Sequence, residues 1–94
     1  MRNFGDIEMY VENIVSNRLS MASEYAEDVM TEREDVNVLL ICTSHGVRID
    51  AQHNEKLITA ERDVSWEDIE QEDSNPLPRA IDELVTTLNN WRAS

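Results

Sequence analysis

Cys42, His45 and His53 stand at a C-x2-H-x7-H spacing, the nearest this chain comes to a metal-ligand set. Structural zinc takes four ligands, so a carboxylate such as Asp50 would have to complete it. Cys42 and His45 also have the composition of a nucleophile and its base, a pairing that needs an exposed thiolate and a third, orienting group. Cys42, however, falls in the most apolar stretch of the sequence, where a free cysteine is expected to behave as a small buried hydrophobe. Both histidines fall in turns. Asp50 and Glu61 form a carboxylate pair of the kind that does acid–base work, but with twenty Asp and Glu such pairs arise by number alone. Two glycines, Gly5 and Gly46, are too few for a phosphate-cradling loop. The expectation is a protein that is not an enzyme and holds neither metal nor cofactor.

The chemistry that remains is charge. Twenty acids stand against eight Lys and Arg in ninety-four residues, a formal net charge of −12. Such a surface repels phosphate backbones and anionic lipid headgroups and steers a basic partner toward itself, so neither direct nucleic-acid binding nor membrane binding is expected. The surplus is not spread along the chain. Residues 1–35 carry nine acids and three arginines, residues 61–73 carry seven acids and one arginine, and the two remaining stretches are each neutral. In the first block the acids crowd toward Glu24, Glu27, Asp28, Glu32, Glu34 and Asp35, opposed by Arg33. The second block is Glu61, Asp63, Glu67, Asp68, Glu70, Glu72 and Asp73 beside Arg62. As helix, residues 24–35 would present one net negative charge per about 3.6 Å, close to the ~3.4 Å per charge along one strand of B-DNA. Glu32, Glu34 and Asp35 also sit at a helix C-terminus, against the negative end of the macrodipole. Folding alone favours Lys or Arg there. The plain alternative is that both blocks are solvated faces that keep the protein soluble, with salt adaptation as a variant.

The elements that must carry these blocks follow from periodicity. From Asp6, a candidate N-cap, to about Arg33 the residues Ile7, Val11, Ile14, Val15, Ala22, Ala26 and Val29 recur at helical spacing. A helix of roughly 40 Å is long for so small a domain. Either it kinks near residues 16–23 or part of its stripe packs against a second copy, with Tyr10 and Tyr25 at the seam. Residues 36–43 are apolar on both faces and predict a strand covered on both sides, or at least a central one. Gly46, free to take positive φ, turns the chain into a second strand over 47–51, and 57–60 predicts a short third. Ser65 caps a short second helix. A third runs from about Pro78 to Trp91, with Leu77, Ile81, Leu84, Val85, Leu88 and Trp91 on its buried face. Trp66 is equally suited to core or interface. The fold class is α+β in one domain spanning 1–94: a small antiparallel sheet of two to three strands packed by a long N-terminal and a C-terminal helix, in the order α-β-β-(β)-α-α.

Cys42 alone cannot build a disulfide framework, and with Asp6, Glu8 and Glu12 breaking up any signal-peptide core a reducing, cytoplasmic location is expected. In size and acidity the chain resembles the small acidic inhibitors of bacteriophages that block restriction or CRISPR complexes. That resemblance implies a protein-binding inhibitor, in some cases a DNA mimic, that presents the carboxylates of 24–35 and 61–73 to a basic surface of a nucleic-acid-binding complex. An immunity protein or antitoxin against a basic toxin uses the same physics. A structural module that oligomerises as a homodimer through the N-terminal helix is the reading in which charge serves solubility only.

Overall fold

In the computed structural model the backbone is described for residues 4–91 and the side chains for residues 14–91. The element order is α1 (Phe4–Glu32), β1 (Val36–Cys42), β2 (Gly46–His53), β3 (Ile58–Ser65), α2 (Trp66–Gln71) and α3 (Pro76–Asn90). The α-β-β-β-α-α order and the α+β packing agree with the sequence reading. The three strands form one antiparallel meander in the order β1-β2-β3, with Val36 opposite His53 and Gly46 opposite Ser65. All three helices lie on one side of it: α1 over β1, α3 over β2 and β3, and α2 against α1 at the end where β3 finishes.

Alternation along the strands separates the two faces. Val36 and Val38, then Val47, Ile49, Ala51 and His53, then Val64 point into the helices and are buried. Ala22 and Ala26 bring α1 close to them, and Ile69, Leu77, Ala80, Ile81, Leu84, Val85 and Leu88 close the core from α2 and α3. Fully burying a Leu- or Ile-sized side chain stabilises by about 1.5–3 kcal/mol relative to leaving it exposed. The opposite face of the sheet is open, and β1 differs from expectation here. It is an edge strand covered on one face only, and Leu39 on the open face is 58% exposed. With every helix on the other side, the apolar run in β1 reflects strand propensity as well as burial.

Several boundaries also differ. α1 is one unbroken helix of 29 residues, and Asp6 lies inside it, where the positive end of the helix still favours an acid. Its length, about 43 Å, exceeds the roughly 26 Å of an eight-residue strand. Gly46 does not take positive φ; its role is close approach, because a Cβ there would collide with the Val64 carbonyl. β3 is twice the expected length, since an edge strand tolerates Glu61, Arg62 and Asp63 on its exposed positions. Leu57, expected in that strand, sits instead in the turn before it with φ of 56°. Asn75 caps α3 by accepting the Leu77 N–H at 3.1 Å, so the helix starts at Pro76, not Pro78. It ends at Asn90. The backbone turns extended at Trp91, which therefore leaves the buried stripe and is 51% exposed. Trp66 lies half-buried against the core, its Nε1–H donated to the Thr43 carbonyl at 3.0 Å.

Gly46→Ala is expected to lower stability by about 3 kcal/mol or more, whereas Leu57→Gly, which relieves a left-handed backbone at an exposed position, is expected to raise it by up to about 1 kcal/mol. Urea unfolding of the two variants against the parent chain checks both signs.

Candidate functional site

Neither α2 nor α3 has a basic residue in its last turn, so the carbonyls at their C-terminal ends need donors from elsewhere. Arg18 of α1 supplies them for α2: its Nη1 donates to the Ile69 carbonyl at 2.6 Å and the Glu72 carbonyl at 2.9 Å. The Arg18 carbonyl in turn accepts from Asn75 Nδ2 at 2.8 Å. Lys56 does the same for α3, its Nζ donating to the carbonyls of Leu88, Asn89 and Trp91 at 2.9–3.0 Å. Three arginines pair with carboxylates: Arg33 with Asp35, Arg48 with Asp50 and Glu61, and Arg62 with Glu83. The two carboxylates beside Arg48 hold its guanidinium pKa above the usual arginine range, Asp50 chiefly. Asp35 also lies beside His53, the buried polar side chain among the described residues: His53 Nε2 is 3.1 Å from Asp35 Oδ2, and its Nδ1 accepts the Lys56 N–H at 3.2 Å.

Of the thirteen carboxylates singled out in the sequence, only Asp35 and Glu61 have cationic or histidine partners among the described residues. Glu24, Glu27, Asp28, Glu32, Glu34, Asp63, Glu67, Asp68, Glu70, Glu72 and Asp73 have none, and all but the half-buried Glu70 are exposed. They do not form a single patch. Glu24, Asp28 and Glu32 make a row along α1 at four-residue intervals, about 6 Å of rise apart, on the flank where Tyr25 reaches across to α3. Glu32, Glu34 and Asp35 share a depression with Asn54 and Glu55 at the end of the sheet where β1 begins. Asp63, Asp68 and Glu72 gather with Arg62 and Arg79 at the opposite end, beside α2. Glu61 and Asp63 stand on β3, in register with Asp50 and Arg48 of β2.

Two members of this surface were missed in the sequence. Asp82 of α3 accepts a hydrogen bond from the Tyr25 hydroxyl, and the Tyr25 pKa is pushed up to about 12 by that bond, by burial and by the Asp82 and Glu32 charges. Glu55 completes the depression at the end of α1. Both lie in stretches of the chain that are neutral overall, so counting charge by segment passes over them.

The metal-like set does not assemble. Cys42 is exposed, contrary to expectation, because it ends an edge strand at the rim of the sheet. His45 lies beside it in the hairpin, but His53 is at the far end of β2, roughly 23 Å of strand away. Among the described residues no group of three or more His, Cys, Asp or Glu has the geometry to hold a metal ion, and no helix is long and apolar enough to cross a membrane. No protein-family model, curated protein or solved structure matches the chain.

Replacing Lys56 by Met strips α3 of its C-terminal donor and is expected to cost about 1.5–3 kcal/mol, the scale of a hydrogen bond to a charged group; thermal unfolding reads it. Tyr25, protonated in its Asp82-bonded state, contributes stability that is complete below pH 10 and is lost as pH rises through about 12. Ultraviolet titration of phenolate should show that late midpoint, and Asp82→Asn should bring it back toward 10.

Proposed function

We propose that the protein works by binding a basic protein surface through its unpaired carboxylates, as an inhibitor that occupies a site where the target otherwise holds nucleic acid. One observation carries this reading. The basic residues of the described structure are largely turned inward onto helix carbonyls or matched to a few acids, while eleven carboxylates of the two acidic blocks make no ion pair with a described cation. Folding stability does not favour that distribution, since like charges on one helix at four-residue spacing are destabilising. The same arrangement suits a partner that brings its own cations. The small acidic inhibitors of phages, of the anti-restriction or anti-CRISPR kind, are the class this reading places it beside, and an immunity protein against a basic toxin is its nearest neighbour in mechanism.

The reading is tested by affinity capture from a bacterial lysate with the parent chain and two variants, Glu24→Lys/Asp28→Lys/Glu32→Lys and Glu67→Lys/Asp68→Lys/Glu70→Lys, each checked for its fold by circular dichroism. A captured basic protein should be released steeply by added salt, be displaced by duplex DNA, and be lost with at least one variant. Capture unchanged in both variants and insensitive to salt rules the reading out.

A second reading draws on the length of α1. A helix longer by about 17 Å than the strands it packs on offers surface for a second copy, and a homodimer through α1 is compatible with target binding. Sedimentation at low and high salt measures it: a charge-opposed dimer strengthens as salt rises.

A further inference from the structure

Leu57 and Trp91 are two large apolar side chains whose display folding does not explain. Leu57 is 81% exposed and holds a left-handed φ of 56°. Gly or Asn takes that conformation at lower cost, so neither burial nor backbone geometry accounts for a leucine. Trp91 turns out of the α3 stripe and stays half-exposed. The two are tied to one place. Lys56, the residue before Leu57, binds the Trp91 carbonyl through Nζ at 3.0 Å, and the Leu57 N–H donates to the His53 carbonyl at 2.9 Å. The turn and the end of α3 are thus fixed against each other, and the apolar pair is presented on a rigid support. Its border is acidic on balance. Glu55 belongs to the same turn, whose Asn54 N–H donates to the Asp35 carbonyl at 2.8 Å, and Glu32, Glu34 and Asp35, with Arg33 among them, line the depression that Glu55 and Asn54 share. Lys56, the cation of the turn itself, has its ammonium turned onto three helix carbonyls.

We propose that Leu57 and Trp91 form the apolar centre of a docking site, bordered by Glu32, Glu34 and Glu55, for a basic protein surface that carries an aliphatic or aromatic side chain between arginines. This rests on the charge-based reading above and adds to it the end of the molecule that meets the target and a contact that charge alone does not supply. An apolar anchor at the centre excludes water, which strengthens the charge pairs around it, and Trp is among the residues most enriched at such centres.

The test is a titration of the isotopically labelled full chain with two synthetic peptides of equal charge, one with a Leu-Phe pair flanked by two arginines on each side and one with Gly-Gly in its place. The Leu-Phe peptide should bind about tenfold more tightly and shift the Leu57 methyl and Trp91 indole resonances. Leu57→Gly and Trp91→Ala should each reduce that preference, with the Ile49 and Ile81 methyl signals reporting an intact core. Equal affinity of the parent chain for both peptides overturns the docking site and leaves the charge reading standing. A preference that survives both substitutions together also overturns it. Failure of both peptides to bind at low salt overturns both.

Discussion

The three carbonyls that end α3 and those that end α2 face a difficulty set by composition. A helix C-terminus carries about half a negative charge and several acceptors without intrahelical partners. Neither helix has a cation in its last turn, and α2 ends among Glu70, Glu72 and Asp73, which add to the same negative field. Arg18 and Lys56 resolve this from a distance of 51 and 32 residues respectively. Each contact also joins elements that the chain brings together only on folding: α1 to α2, and the β2–β3 turn to α3. The core depends on these two joints for its borders, since Ile69 and Leu88 lie directly beside the carbonyls being held.

The use of cations inside the fold determines what the outside looks like. With Arg18 and Lys56 committed to backbone oxygen, and Arg33, Arg48 and Arg62 to near neighbours, the described acids of α1 and α2 are left without a paired cation. Their repulsion is lessened because they are divided between the two ends of the sheet and one flank of α1 and are screened by salt. Tyr25 registers these acids directly: its pKa is pushed up to about 12, first by the hydrogen bond to Asp82, then by burial and by the Asp82 and Glu32 charges.

Much of this was legible in the sequence where a periodic signal was long or a capping residue was explicit. The β1–β2 hairpin, the Ser65 cap and the buried stripe from Leu77 to Leu88 follow from local rules, and so does the α+β architecture. The misreadings share a cause: each depended on which side of the sheet other elements occupy. An apolar β1 looks the same in sequence at an edge or in the middle, so Leu39 and Cys42 were expected to be inside. Trp91 continues the helical spacing on paper and leaves it only because the backbone extends at that residue. Gly46 was read for its torsional freedom, whereas its function is to admit the Val64 carbonyl, a neighbour eighteen residues away. Charge by segment located the acidic blocks, but it could not show that they part to opposite ends of the sheet or that Asp82 and Glu55 join them.

Lys56 is the only lysine in the sequence, and its ammonium is bound on three sides by the end of α3. Reagents and enzymes that modify side-chain amines, from acylating cross-linkers to acetyl or ubiquitin transfer, therefore find a single ε-amino group here, one that must be pulled out of its carbonyl cage before it can react. The same reaction that labels Lys56 would remove the cation that holds the end of α3.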